Sequence, residues 1–267
     1  MPKNPAGKML AYLCVIIFSF VSCKKDDPAW LIPPPPPDES FVEEFDTVSA
    51  AFHRGWVPVN NSNPKGQSIW VQGGFLSPIF APYSSKGSYA GFIGTDYLST
   101  SAQAGVISNW LISPLIWMKN GDKISFYTRA QLYPVFNSTD STDYGNNLEV
   151  CINKKNQSTN VGTALDPRDP FYDAGKDRGD FNLLLSINTP AYDAANNFFN
   201  YRYAHSTPSL YDPLAYPVNW TRFEITITGL DQPHKGRFAF RYYTLDAGSN
   251  GNGTAVAIDQ VTFSSSP

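Results

Sequence analysis

Two carboxylates stand where carboxylates are costly. Asp259 lies in the alternating run Ala257-Ile258-Asp259-Gln260-Val261-Thr262-Phe263, in register with Ala257, Val261 and Phe263 on an apolar face. At the other end of the domain, Glu43 falls between Phe41 and Phe45 in a run of the same kind. An ionised acid on an apolar strand face needs a cation, a shared proton or strong hydrogen bonds. Where the first and last strands of a sandwich lie side by side, Glu43 and Asp259 converge, and Asp46 or Glu44 with backbone carbonyls would complete an oxygen shell. Outside the cell such hard donors suit Ca²⁺ in a structural role. The competing arrangement pairs Asp259 with Arg237 or Arg241, or with backbone N–H groups.

Aromatic rings form the second candidate. Tyr192, Phe198, Tyr201, Tyr203 and Trp220 crowd residues 188–220, interleaved with Asn196, Asn197, Asn200 and Asn219. Rigid rings beside amides suit recognition of a glycan or an extracellular protein. A long loop would equally use such rings as its own small core. A lesser patch runs from Tyr133 through Phe136 to Tyr144. The turn 246–253 places oxygen-bearing side chains at Asp246, Asn250 and Asn252 but lacks a closing Glu, so it reads as a Gly/Asn hairpin turn rather than a calcium loop. Asp166, Asp169, Asp173, Asp177 and Asp180, interleaved with Arg168, Lys176 and Arg178, read as a solvated, self-neutralising loop.

Catalytic constellations are missing. Glu149 and Glu224 sit in alternating strands with no grouped partner, so a glycosidase carboxylate pair is not indicated. His53, His205 and His234 are scattered surface candidates with no HExxH spacing, and no Gly-x-Ser-x-Gly elbow or phosphate-cradling loop occurs. Charge excludes another class: 20 Lys and Arg against 23 Asp and Glu, net −3, without a basic stripe, argues against nucleic acid.

The elements that would carry these residues are strands. In residues 236–243, Phe238, Phe240 and Tyr242 share one face and Arg237, Arg241 and Tyr243 the other, the signature of a half-buried strand. Residues 40–46, 68–72, 88–94, 106–112, 122–129, 147–153, 181–187, 220–228 and 255–263 read similarly, and no stretch keeps a 3.6-residue apolar period. The fold class expected is all-β, a two-sheet jelly-roll sandwich over residues 40–267, with long loops at 133–146, 153–180 and 188–219. No internal repeat and no second domain is legible.

Ahead of it comes an address. Lys3 and Lys8 precede the uncharged run 9–22, too short to span a bilayer. Phe20-Val21-Ser22-Cys23 resembles a bacterial lipobox, making residues 1–22 a signal peptide and Cys23 the lipidation site. Lys24-Lys25-Asp26-Asp27 resembles the tag of lipoproteins carried to the outer face of the outer membrane. Residues 23–39 then form a lipidated tether, stiffened by the prolines at 33–37 into a polyproline II spacer. Cys151 is left without a partner, so no disulfide is expected.

Phe41-Val42-Glu43-Glu44-Phe45-Asp46 with Gly55-Trp56, then Asn109-Trp110-Leu111-Ile112-Ser113-Pro114, Asn147-Leu148-Glu149-Val150 and the terminal Ala257-Ile258-Asp259-Gln260-Val261 occur in the order of a known family. Over residues 40–263 the pattern resembles the choice-of-anchor J, or cleaved-adhesin, domain, a relative of MAM-like jelly rolls; residues 188–219 have no counterpart. The resemblance implies a β-sandwich on a secreted or surface-bound bacterial protein, often with bound calcium. Its N-terminal acid and C-terminal Asp match Glu43 and Asp259. Adhesion, or glycan and protein binding, is implied, and catalysis is not. The expectation is a non-enzymatic outer-membrane lipoprotein that faces the cell exterior and binds a glycan or protein. Alternatives are a jelly-roll carbohydrate-active enzyme and an envelope scaffold without a soluble ligand.

Overall fold

The computed structural model describes residues 34–74, 80–84 and 90–267. The leader 1–22, Cys23 and the Lys/Asp tag lie outside the described residues. In chain order the domain runs β1 (Phe41–Glu43), helix α1 (Val48–His53), β2 (Val57–Asn60), β3 (Val71–Gln72), β4 (Ile93–Asp96), β5 (Gly105–Ile112), β6 (Ile116–Met118) and β7 (Lys123–Ala130). There follow β8 (Tyr133–Pro134), β9 (Ser141–Thr142), β10 (Leu148–Asn153), helix α2 (Ala174–Asp177), β11 (Phe181–Ile187), β12 (Ala191–Asp193), β13 (Phe198–Asn200), β14 (Thr221–Thr226), β15 (His234–Ala247) and β16 (Ala255–Ser264). Both helices are too short to impress an apolar period on the sequence.

The strands build two antiparallel sheets. One has the order β14-β7-β16-β4-β3 with β1 added on β16, the other β11-β10-β15-β5-β2 with β6 added on β15. This is the two-sheet β-sandwich the alternation predicts, within a unit spanning Pro37–Pro267. The first and last strands do pair, Phe41 opposite Phe263 and Glu43 opposite Val261. The terminal strand pair is not the hairpin that its Gly/Asn turn suggests: β15 lies in one sheet and β16 in the other, so the turn between them crosses one end of the sandwich instead of joining paired strands.

Between the sheets, rings interlock edge to face. Phe126 meets Phe240 at 4.8 Å, and Trp56 meets Phe238 at 5.8 Å. Ile124, Val150, Ile258, Val261 and Phe263 fill the gaps around them. Each such side chain contributes about 1.5–3 kcal/mol on burial, which makes this layer the main source of stability.

Two sequence expectations are corrected here. The second face of β15 is not open to water: Arg241 is fully buried, and long loops roof the outer side of its sheet. Under the roof lie two further apolar clusters, Trp110, Cys151, Val161, Phe181 and Ala239 in one, and Val106, Phe199, Tyr201, Tyr243 and Leu245 in the other. The second correction concerns β16. Its register with β7 breaks between Asp259 and Thr262, and Gln260 takes a left-handed φ of 47°. A bulge of this kind inserts a residue and reverses facing. Val256 and Ile258 therefore point inward, as do Val261 and Phe263, while Asp259 falls on the outer side of its sheet.

Candidate functional site

A short turn, Asp143-Tyr144-Gly145-Asn146, holds one end of the sandwich together. Tyr144 and Gly145 are left-handed, with φ of 48° and 79°. That geometry turns the amides of Gly145 and Asn146 onto the Asp143 carboxylate at 3.2 and 3.1 Å, and Ala204 N–H donates to it at 2.8 Å. Asn146 links three segments. Its Nδ2 donates to Asp143 and to Thr254 Oγ1, and its Oδ1 accepts from Tyr242 Oη at 2.8 Å and Thr254 N–H at 3.0 Å.

Above this base opens a cleft of about 550 Å³, walled by Tyr97, Tyr133, Tyr144, Phe198 and Tyr203 and floored by the turn 248–254. Tyr97 and Tyr133 stand nearly perpendicular, their centroids 6.3 Å apart. Hydrogen bonds fix two other rings: Tyr144 Oη donates to Pro134 O, and Tyr203 Oη donates to Asn252 Oδ1 at 2.9 Å. Asn252 in turn donates to Phe199 O and Leu245 O. At Gly253, with φ of +88°, a Cβ would come within 2.5 Å of Tyr242 Oη, so the floor requires glycine there. Asp246 is held by Arg168 at 2.6 Å and by Phe199 N–H at 2.9 Å. Its backbone carbonyl accepts from Asn252 N–H at 2.7 Å, which closes the turn.

Of the predicted ligand residues, Phe198 and Tyr203 line this cleft. Tyr201 does not: it is buried, its Oη accepts from Leu245 N–H, and burial pushes its phenol well up. Tyr192 leans on Phe199 at 5.0 Å in the separate β12 and β13 hairpin. Trp220 lies in the other sheet's territory, edge-on to Phe80 and Phe92, with Nε1 donating to Ala81 O. The five residues split because the segment 188–219 first folds over one sheet and then feeds β14 at the edge of the other. Tyr133 and Tyr144 were legible as an aromatic patch, and the Asn/Gly turn as a turn; only the topology joins them, and nothing local marks Tyr97.

The two acids do not share a site. Glu43 faces the core side of its sheet, opposite Val261, where Arg54 clamps it through Nε at 2.9 Å and Nη2 at 2.6 Å. Asp259 faces the outer side and accepts from the backbone N–H groups of Tyr83, Ser84 and Gln260 at 2.8, 3.0 and 2.7 Å. Burial pushes its carboxyl up to about 6, and the charge of Asp46 acts in the same direction. Tyr83 stacks on Tyr127 at 3.5 Å to roof it. Among the described residues no three His, Cys, Asp or Glu side chains converge. A cage built on Glu43 with Asp259 therefore does not fit, and of the competing partners the backbone amides hold Asp259.

Neither catalytic suspect has a free carboxylate. Glu149 is gripped by Arg178 and Arg241, and Glu224 by Lys123 and Arg222. The acidic run is only partly a solvated loop, because Asp177 is fully buried against Arg241. His205 Nδ1 lies 2.6 Å from Asp140, whose carboxyl it holds far below the usual range. Ser206 Oγ donates to Asp140 and has no bond to the imidazole, so the group forms no Ser-His-Asp relay.

Asp143 makes a test of this base. Burial raises its carboxyl from 3.8 to about 6 despite its amide donors. The folded state thus binds the proton more tightly than the unfolded chain. The associated stability is fully present below about pH 4 and is lost as pH rises through 6, on the order of 3 kcal/mol for two pKa units. Carboxyl-carbon NMR should place the Asp143 midpoint near 6, and Tm should be higher at pH 5 than at pH 7.5. A midpoint near 4 would refute the buried placement.

No known protein family matches the chain, and no curated protein matches it. Among solved structures it is similar to the K1 cleaved adhesin domain of Lys-gingipain from Porphyromonas gingivalis W83, at 14% identity over 85% of this chain and 99% of that one, TM-score 0.47. The K3 cleaved adhesin domain of the same protein gives 13% over 86% and 100%, TM-score 0.45. The CBM22-1 xylan-binding domain from Paenibacillus barcinonensis Xyn10C gives 10% over 88% and 100%, TM-score 0.34. These are distant likenesses, and the sandwich stands on its own sheet order and register.

Proposed function

We propose that this chain is a non-enzymatic binding module that holds a glycan or an extracellular protein in the tyrosine-walled cleft. In this reading it is carried on a lipid anchor at Cys23 and displayed from the outer membrane toward the exterior. The carrying observation is the cleft: five aromatic side chains, two of them held by hydrogen bonds, above a buried hydrogen-bonded base and beside a turn rich in amides and open backbone. Rings fixed in place lose little entropy when a ligand stacks on them, which is the economy binding sites use. Engagement of Glu149 and Glu224 in ion pairs weighs against the hydrolase alternative. The test is a glycan array and a capture screen with extracellular proteins, run on the full chain and on the Tyr133→Ala/Tyr203→Ala double variant. Truncating two central aromatic contacts should weaken binding by a factor of about 100, each contributing over 1 kcal/mol. Wild-type binding by the variant would remove the cleft from the proposal.

Calcium stays in this reading at another place. Carbonyl oxygens of Phe45, Ala90 and Phe92 surround the Gln72 side-chain nitrogen, two at 3.0 and 3.2 Å, while Gln72 Oε1 accepts from Val48 N–H. Ala90 O and Phe92 O also accept from the N–H groups of Phe92 and Gly73, so each uses its second lone pair here, and Asp46 follows Phe45 in the chain. A hard cation suits such an oxygen-rich nest. We expect Tm to fall on adding EDTA and to recover with Ca²⁺; an unchanged melt withdraws the ion.

A further inference from the structure

The cleft carries no charge. None of the described residues lining it is Asp, Glu, Lys, Arg or His; beyond the rings, its surface is Pro134, Ser249, Asn250, Asn252, Thr254 and glycine backbone. The charges behind the walls are already satisfied. Asp246 is paired with Arg168, and Asp143 lies buried under amide donors. A second groove of about 460 Å³ shares Tyr97 and Tyr133 with the first and continues past them along Gln67, Ser68 and Ile69. Its one carboxylate, Asp96, is 7% exposed and accepts from Leu98 N–H. Lys65 lines neither groove; it lies in an adjoining depression that shares Gln67 and Leu98 with the second groove and Ser249 with the cleft.

Building on the binding-module reading, we propose that the ligand is an uncharged oligosaccharide chain, laid from the turn 248–254 across the corner made by Tyr97 and Tyr133 into the neighbouring groove. The lining argues for this occupant. A pyranose ring offers a C–H face to an aromatic ring and hydroxyls to amides and backbone, and it needs no counter-charge. An acidic or sulfated polysaccharide would bring anions to a surface with no cation to meet them, at a desolvation cost. A peptide segment would bring charged side chains to the same unpaired surface. Two grooves joined at one corner make recognition depend on chain length, so short sugars bind weakly and longer oligomers of the same sugar bind more tightly.

Affinity electrophoresis of the full chain tests this, using gels cast with neutral polysaccharides (galactan, xylan, glucan, mannan), with polygalacturonate or alginate, and with heparin. Retardation by at least one neutral polymer is expected, unchanged between low and high salt because no ion pair is there to screen. Titration with its oligomers should show affinity rising with length, and Tyr133→Ala should weaken binding about tenfold at an unchanged Tm. If an acidic or sulfated polymer is bound instead, with affinity falling as salt rises and lost in Tyr133→Ala, the inference is overturned while the binding-module reading stands. A protein ligand lost in Tyr133→Ala, with no glycan retained, does the same. If Tyr133→Ala changes no binding of either class, both readings fall together.

Discussion

Arg241→Leu should be the most damaging single substitution outside the aromatic core, lowering the unfolding free energy by about 3–5 kcal/mol, the cost of removing one partner from a buried ion pair. Arg241 is fully buried and donates to both Asp177 oxygens at 2.9 Å and to Glu149 at 3.1 Å; Arg178 completes the set as a second clamp on Glu149. The guanidinium also lies 3.8 Å from the Tyr243 ring centroid and donates through Nε to Ser108 Oγ at 2.8 Å. Leucine would keep the volume and abandon Asp177, which has no exposed surface through which to recover water. Urea unfolding of the variant checks the figure. Arg241→Leu/Asp177→Leu should recover much of the loss, since replacing a buried ion pair with apolar groups is often neutral or better. A single variant within 1 kcal/mol of wild type would show that water reaches the site. The consequence extends to the cleft, because Asp177 sits in the roof loop that also carries Arg168, the residue holding Asp246 at the base of the cleft turn.

That network shows where a sequence stops being legible. The alternation in β15 correctly placed Phe238, Phe240 and Tyr242 in the core. It also predicted an open second face, because Arg237, Arg241 and Tyr243 are polar or amphipathic. What covers that face comes from residues 154–180 and 190–204, and no local pattern says which surface a long loop will cap. The acidic run reads as self-neutralising, which holds for Asp166 with Arg168 and Asp173 with Lys176, and as solvated, which fails at Asp177, paired with Arg241 from outside the run. Asp259 teaches the same lesson at shorter range. The pairing of its strand with β1 is legible, yet one left-handed residue, Gln260, reverses its facing, and a bulge leaves no mark in the hydrophobic pattern. The cleft is half visible in the sequence: Phe198 and Tyr203 stand out as ligand residues, and Tyr133 and Tyr144 belong to a separate aromatic patch. Residues about 60 positions apart meet there because β15 and β16 divide between the sheets and bring the 248–254 turn between them.

Asn146→Ala should damage stability and binding together, and that pairing separates a shaped cleft from a chance depression. Truncation strands Tyr242 Oη and Thr254 N–H without their acceptor, and both groups are buried. Each unsatisfied buried group costs about 1–3 kcal/mol, so a loss on the order of 3 kcal/mol is expected. Asp143 would also lose a donor from the Asn146 side chain, leaving a buried carboxyl less well held. Because Thr254 lies on the cleft turn and Tyr144 on its wall, the turn and the wall would no longer be fixed relative to each other. The variant should therefore bind ligand more weakly even at temperatures where it is fully folded, with the loss appearing as faster dissociation, since most changes within one interface act on the off-rate. Asn146→Asp is the discriminating companion. It keeps an acceptor for Tyr242 and Thr254 but places a second carboxylate beside Asp143, so its defect should ease as pH falls toward 5 and one acid takes up a proton. A pH-independent defect in Asn146→Asp, or full affinity in Asn146→Ala, would mean that the walls are shaped by something other than this hydrogen-bonded base.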